Sequence, residues 1–405
     1  MKELMFNGSR VKPPEQTWNT IKPLLREFGI TRVGDVTGLD RIGLPVWIAV
    51  RPNARTLSVS QGKGLNDTAA KVSAAMEAIE LAHAEQPDLE LRHATASEIA
   101  STGKLIDLDE LPKARHSVFG TRTVIAWTKS VDWKTGGSIW VPFEIVNADA
   151  SVQRMDGAGS FLHTTNGLAS GNVAEEAILH GLCELIERDA LALWEYDGSV
   201  AQATSRIDLG SIATPVATHI IQRLRSADIE PIVWDATSDI GVATIRAALH
   251  DNTSDPVTNP LPASLGAGCH PDRTIALCRA LTEAAQSRLT AIVGSRDDLG
   301  RQRYRETQSA HALNASRAYA HDKTAQRPFN SVPDSATGSV TEDLSLVVKR
   351  LEQAGLPQVL TVDLSRLGMP VSVLRTIVPG LEGPTDSPSY LPGARALARA
   401  ARRRP

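Results

Sequence analysis

The chain has 405 residues, of which 42% are hydrophobic and 22% charged, and its formal net charge is −3. That length fits two or three average domains or one large α/β domain, with a composition ordinary for a globular protein. The slight negative charge argues against nucleic acid as the main partner, and three scattered cysteines suit neither a CxxC metal or redox site nor a secreted disulfide scaffold.

The start, "MKELMFNGSRVKPPEQTW", has no apolar stretch followed by a small-residue cleavage site. No segment approaches the roughly 20 apolar residues of a membrane span, so a cytoplasmic protein without membrane contact is expected. Residues 32 to 60 alternate strand-like runs with turns, in "RVGDVTGL", "LPVWIAV" and "RTLSVSQGKG". From Leu65 to Glu85 the period becomes helical. The same change recurs at "SIWVPFEIV", at "NGLASGN" before a helix from Val173 to Trp194, and at "SLGAGCHPDR" before "TIALCRALTEAAQSRLTAI". Cys183 and Cys278 fall in these helical patterns and read as core thiols. "HDNTSDPVTNPLPAS" and the polar stretch from about Arg305 to Asp343 have no stable period and read as surface loops. "PQVLTVDLSR" and "PVSVLRTIVPGLEG" read as a strand pair, and the basic end "ARRRP" as a solvated tail. The alternation predicts an α/β or α+β fold, with little support for separate modules.

The helix "HGLCELIERDALALW" is too apolar to lie on a surface, yet Glu184, Glu187 and Arg188 sit inside it. Singly buried charges are costly, so these need partners, a metal or an anionic ligand. Superposing the helical segments answers the question. Glu77 follows Gly64 by thirteen residues and Glu184 follows Gly171 by thirteen, each opening an E-x-x-E pair, Glu77/Glu80 and Glu184/Glu187. Glu283/Gln286 is a weaker third copy, entered from Gly268 with a slightly longer lead. Residues at i, i+4 and i+7 share a helix face, which gives the polar stripes Ser73-Glu77-Glu80, His180-Glu184-Glu187 and Arg279-Glu283-Gln286. If the repeats pack around one centre, the carboxylates need cations, and all-oxygen ligands of this kind suit Mg²⁺ beside substrate phosphates. The glycine turns offer backbone N–H groups to anions. Lys63 does not complete a phosphate loop, because Gly64 stands where Ser or Thr is required, and "GLASGN" is not a dinucleotide fingerprint. Neither H-E-x-x-H nor G-x-S-x-G occurs.

In "GKGLNDTAAKVSAAMEAIE", "TNGLASGNVAEEAILHGLCELIERDA" and "ALTEAAQSR" the chain resembles the YcaO family, whose members use ATP to activate peptide backbone amides. The resemblance runs from about Arg32 to Gly383, leaving 384–405 as a tail on a single YcaO-like domain over 1–405. It implies an α/β (α+β) YcaO-type fold with an ATP site lacking a phosphate loop. The S-x-x-x-E-x-x-E motif falls on Ser73, Glu77 and Glu80, the Asn, Glu and E-x-x-E-R motif on Asn172, Glu176, Glu184, Glu187 and Arg188, and Q-x-R on Gln286 and Arg288. By resemblance Glu77, Glu80, Asn172, Glu176, Glu184 and Glu187 hold Mg²⁺ on the triphosphate. Ser73, Arg188, Gln286 and Arg288 then contact the nucleotide, with Arg10 and Thr17 as weaker matches. Many members have Arg after the second Glu of the first motif, where Leu81 stands here.

Azoline-forming members commonly end in a P-x-P-x-P tail, whereas this chain ends "SYLPGARALARAARRRP". "RTIVPGLEGP" and "YLPGARA" are instead similar to YcaO proteins that work beside a TfuA partner and turn an amide into a thioamide. The resemblance therefore implies thioamidation of a peptide with an external sulfur source and a TfuA-like partner delivering sulfur or substrate. Azoline formation on Cys, Ser or Thr and a non-catalytic nucleotide-binding regulator stay open as alternatives, as does a homodimer.

Overall fold

The structure is a computed structural model that describes residues 10–117, 119–151, 159–253, 255, 257–259, 261–294, 309–321 and 326–402. In chain order come α1 (Pro14–Ile21), β1 (Arg32–Asp35), β2 (Val46–Val50), β3 (Val59–Lys63), α2 (Asp67–Glu85), β4 (Arg92–Ala94), α3 (Ala96–Ala100), β5 (Ile125–Asp132), β6 (Ser138–Pro142) and β7 (Leu168–Gly171). Then follow α4 (Ala174–Thr204), β8 (Ile207–Asp208), α5 (Pro215–Ser226), β9 (Ile229–Asp235), β10 (Thr244–Asp251), β11 (Ser264–Cys269) and α6 (Arg273–Val293). The last elements are α7 (Ala310–His321), β12 (Arg327–Pro328), α8 (Val340–Gln353), β13 (Leu360–Asp363), β14 (Ser372–Ile377) and α9 (Ala394–Ala401). Helix and sheet are mixed, as expected, and the longer sheets are antiparallel. β1-β2-β3 and β11-β10-β9 form three-stranded sheets, and β4-β5-β13-β14-β7 form the largest, with β6 paired to β5.

Three strand-to-helix units organise the molecule: β3 into α2, β7 into α4, and β11 into α6. Each helix packs on the strand that precedes it and also touches the strand of another unit, α2 on β7, α4 on β11 and α6 on β3. The units thus close a cycle, which turns the inner faces of the three helices toward one another. Glycine permits the close approach. A Cβ on Gly62 would lie 2.0 Å from Ala74 N and 2.2 Å from Ala70 O, and on Gly268 2.8 Å from Ala280 N and 2.1 Å from Ala276 O. The offsets match, so the structural counterpart of Gly268 is Gly62, fifteen residues ahead of Glu77 as Gly268 is ahead of Glu283. Gly64 pairs with Gly171 instead, each approaching the helix nitrogen six residues on, Ala70 and Ala177. The longer lead of the third copy is therefore a difference in which strand position carries glycine.

The predicted strand pair is β13 and β14, in register Leu360↔Ile377 to Asp363↔Leu374. α4 runs on to Thr204, past the expected end at Trp194, with a break at Gly198, whose φ is +74°. α7 and the start of α8 lie inside the stretch expected to be loop. α7, "AHALNASRAYAH", is built from good helix formers and buries Leu313, so propensity and one core contact suffice where sustained periodicity is lacking. The stretch after residue 383 carries a docked helix: Arg395 on α9 reaches Asp189 at 2.8 and 3.0 Å, and Arg399 reaches Asp197 at 2.6 Å. Of the expected solvated end, residues 403–405 lie outside the described residues. Cys183, Cys269 and Cys278 are buried free thiols.

Candidate active site

α4 supplies the middle of the site. Its inner stripe runs from Asn172, just ahead of the helix, through Glu176, His180, Glu184 and Glu187, while Ala177, Ile178, Leu182, Ile186 and Ala190 fill the core behind. Glu176 and Glu187 are only 3% and 5% exposed. Glu184 accepts the Gly167 N–H at 3.2 Å. α2 brings Glu77 and Glu80 to the same place and α6 brings Glu283, so the three polar stripes do converge.

The electrostatics record this convergence. Burial pushes the Glu80 carboxyl well above the usual carboxylate range, and the charges of Glu184 and Glu77 push it further. Burial also raises Glu184, against Arg188 and the Gly167 N–H, with Glu283 adding repulsion. Glu187 is raised by burial and by Glu283. Glu283 itself is held low in spite of burial, because Lys63 lies 2.6 Å away and Arg188 and Arg279 are near. Burial would favour loss of the Arg188 proton, but Glu187, Glu184 and Glu283 keep its guanidinium charged.

The N-terminal segment completes one wall. Arg10 pairs with Glu176 at 2.6 Å, and Thr17 donates to Asn172 Oδ1 at 2.9 Å, while Asn172 Nδ2 donates to Glu176 at 3.2 Å. Two residues expected to meet nucleotide and two expected to meet metal thus sit in one contact group. Ser73 lies half-buried one turn before Glu77 on α2. Gln286 donates to Gln61 O at 2.9 Å, which ties α6 to β3.

Arg288 is placed differently from the expectation of a nucleotide contact. It is 2% exposed, and its guanidinium reaches Asp40 and Asp251, both at 2.9 Å. Asp251 is held as well by Arg41 at 2.7 Å. In this arrangement Arg288 braces α6 against β10 and the turn before β2.

Some site residues carried too little signal in the sequence. Arg375 on β14 is buried, donates to Ile145 O at 2.7 Å and to Thr164 O, and feels the charges of Glu184 and Glu80. Burial lowers its pKa to about 10. Its one clue is an arginine inside the largely buried strand SVLRTI. Arg246 on β10 is also lowered by burial, with Glu195, Glu283 and Glu187 opposing. Lys63, set aside because it completes no phosphate loop, is the partner of Glu283.

The donor set suits Mg²⁺. Its oxygens are hard, several carboxylates sit in apolar surroundings, and their mutual repulsion is what a divalent cation relieves. Among the described residues no three His, Cys, Asp or Glu groups already stand at metal-ligand spacing. Mg²⁺ is commonly held by one or two carboxylates with water and phosphate rather than by a protein cage. No helix among the described residues is long and apolar enough to cross a membrane.

Fold and site together define an α+β protein with an internal carboxylate centre built from three interlocked strand-helix units and no phosphate loop. The chain belongs to the YcaO family: residues 61–382 match the family described as "YcaO cyclodehydratase, ATP-ad Mg2+-binding". It is 40% identical over 376 residues, 92% of this chain and 88% of the other, to a Rhizobium leguminosarum bv. trifolii protein known as an uncharacterized protein in the tfuA 3' region. It is 33% identical over 381 residues, 91% of this chain and 94% of the other, to an uncharacterized protein of Methanothermobacter thermautotrophicus. Among solved structures, the YcaO of Methanopyrus kandleri bound with AMPPCP and Mg²⁺ superposes with a TM-score of 0.71 at 24% identity, covering 92% of both chains. A heterocyclase in complex with substrate and cofactor superposes with a TM-score of 0.75 at 23% identity; 92% of this chain is covered, but it spans only 53% of that longer protein.

Proposed function

We propose that this protein uses ATP and Mg²⁺ to activate a backbone amide of a peptide, and that an external sulfur source converts the amide to a thioamide with the help of a TfuA-like partner, in the cytoplasm. The observation that carries the ATP-dependent step is the meeting of Glu77, Glu80, Glu184, Glu187 and Glu283 at one buried centre beside Arg188 and Lys63. A structural protein has no reason to gather repelling carboxylates in its core. A non-catalytic regulator would not need the intact glutamate pairs. The tfuA neighbourhood of the Rhizobium relative supports the sulfur chemistry and the partner.

An amide carbon is a poor electrophile and its oxygen a poor leaving group. Sulfide adds to the carbon, the resulting oxyanion takes the γ-phosphoryl group of ATP to give ADP, and the C–O bond breaks as phosphate leaves and C=S forms. Bound Mg²⁺ would neutralise charge on the phosphates. Glu77, Glu80, Glu184 and Glu187 would hold it, with Asn172 and Glu176 at the α4 entrance. Arg188, kept charged by its neighbours, faces developing negative charge, and Arg10 can exchange Glu176 for a phosphate oxygen. Phosphoryl transfer asks mainly for positioning and charge neutralisation, so no protein nucleophile is needed.

A second reading has its own support, since the family description names cyclodehydratases. There a Cys, Ser or Thr of the substrate attacks in place of sulfide and an azoline forms. Intact-mass analysis decides between them. Purified protein, Mg²⁺, ATP and excess sulfide are incubated with peptides encoded nearby, with and without the candidate partner. Thioamidation shows as exchange of oxygen for sulfur and azoline formation as loss of water; an unchanged mass in all mixtures, with ATP intact, would contradict both. The partner contributes proximity, so the exchange should be faster in its presence.

A further inference from the structure

One turn after Glu176 and one turn before Glu184, the inner stripe of α4 carries His180. Its Nε2 lies 3.0 Å from Arg279 Nη2 on α6. A guanidinium has only N–H donors and does not lose its proton, so the imidazole nitrogen facing it must accept. His180 is therefore neutral, with its proton on Nδ1. Burial and the charges of Arg279, Arg10 and Lys63 act in the same direction and hold the imidazole far below the pH at which it would take a second proton. His270, which also lies near Arg279, is fixed as neutral too: Asp272 N–H donates to its Nδ1 at 3.0 Å, which leaves the proton on Nε2.

Two donors in this contact are left over. His180 Nδ1 and Arg279 Nε are both buried and have no hydrogen-bond partner among the described residues. Buried donors without partners are rare in folded proteins because each forfeits its bond to water. Here the pair lies on the stripe of the candidate site, and the cations Arg279, Arg10 and Lys63 surround it, opposed by Glu176 and Glu283. Such a place favours an acceptor that carries negative charge and disfavours a cation.

We propose that His180 Nδ1–H donates to a phosphoryl oxygen, and that Arg279 Nε–H, which faces a different way from the imidazole, is a second donor to another oxygen of the same phosphate chain. The proposal rests on the ATP reading above and assigns to that site a contact outside the recognised motifs. Arg279 has two tasks: it fixes the tautomer of His180 through Nη2 and offers its own Nε–H. The two oxygens come either from the triphosphate of ATP or from the inorganic phosphate set free by the reaction.

The test exploits the shape of the amide side chains. His180→Asn puts an amide where Nδ1 was and keeps a donor there, whereas His180→Gln puts its amide where Nε2 was and keeps only the contact with Arg279. Calorimetry on the full chain, without peptide or sulfide, measures binding of a non-hydrolysable ATP analogue with Mg²⁺ and of inorganic phosphate alone. The donor pair predicts that His180→Asn binds within about threefold of wild type while His180→Gln binds about ten- to a hundredfold more weakly, the range for one hydrogen bond to a charged group. Weakening confined to the ATP analogue assigns the triphosphate, and weakening toward phosphate alone assigns the released product. The opposite order, Gln retained and Asn lost, means that the pair only pins α4 to α6 and overturns the proposal, as do unchanged affinities in both variants, which leave the ATP reading standing. Absence of nucleotide binding to the wild type sinks that reading and the pair with it. Should either variant misfold, ¹⁵N-histidine NMR on the unaltered protein gives the answer: His180 must show the Nδ1–H tautomer and shift on ligand addition, and an Nε2–H tautomer overturns the assignment.

Discussion

At Glu184 a desolvated carboxylate accepts the Gly167 N–H, with Arg188 and Arg375 attracting it and Glu80 and Glu283 close enough to repel it. Glu184→Gln keeps the volume and removes the charge. Mg²⁺-dependent ATP turnover should fall at least about a hundredfold, since a lost ligand charge is worth several kcal/mol and each 1.4 kcal/mol is about tenfold. The melting temperature of the ligand-free protein should stay level or rise, because repulsion is relieved. Wild-type turnover in this variant would remove Glu184 from the site. Glutamates of this kind were readable in the sequence because a helix repeats every 3.6 residues, so E-x-x-E inside an apolar helix already marks one inward face. Arg375, Arg246 and the pairing of Lys63 with Glu283 were not readable. Each depends on a strand meeting a helix distant in sequence, and strand alternation names a face but no partner.

At the scale of elements, the repeat was legible as spacing, but its register was not. The sequence spacing points to Gly64, whereas packing makes Gly62 and Gly268 equivalent through the backbone they approach. Gly62→Ala should therefore cost at least about 2 kcal/mol in chemical denaturation, because the added methyl group meets backbone atoms that cannot rotate away. A loss below about 0.5 kcal/mol would show that β3 and α2 can separate more easily than this packing allows. α9 offers a second test. Arg395 binds Asp189, which is fully buried and adjacent to Arg188 on α4, and which also accepts the Glu382 N–H at 3.1 Å. Arg395→Ala leaves that carboxylate without its cation and should destabilise by about 3 kcal/mol. The sequence left this stretch as a tail because the basic, Ala-rich segment has no apolar run of its own; its docking is decided by acidic groups on α4.

Across the whole molecule, the ionisable groups set opposite limits on stability with pH. Burial would raise Asp251, but Thr253, Arg41 and Arg288 hold it at about 2, so its contribution is present above the ordinary value of 3.8 and is lost as pH falls toward 2. Glu80, Glu184 and Glu187 are raised above the ordinary 4.5, so the folded state holds protons that the unfolded state has released. Between pH 4.5 and 6.5 His83, His180 and His270, all held below the ordinary 6.5, oppose this loss, so stability of the ligand-free protein should decline as pH climbs above about 6.5 through the raised values of Glu80 and Glu187. Mg²⁺ with an ATP analogue should reverse the decline, by about 2.7 kcal/mol at a hundred times its Kd, and the gain should be larger at pH 8 than at pH 5. Melting curves at the two pH values, with and without ligand, check both signs. The fold class was legible because strands and helices alternate along the chain. The cycle of α2 on β7, α4 on β11 and α6 on β3 was not, because it arises only when the three units close on one another.

If this cycle builds a Mg²⁺–triphosphate centre from three helices, anomalous diffraction from crystals grown with Mn²⁺ in place of Mg²⁺ and a non-hydrolysable ATP analogue should place manganese between the analogue's phosphates and carboxylate oxygens of Glu77, Glu80, Glu184 or Glu187. Nucleotide bound elsewhere, or manganese absent from these carboxylates while the nucleotide is present, would contradict that assignment.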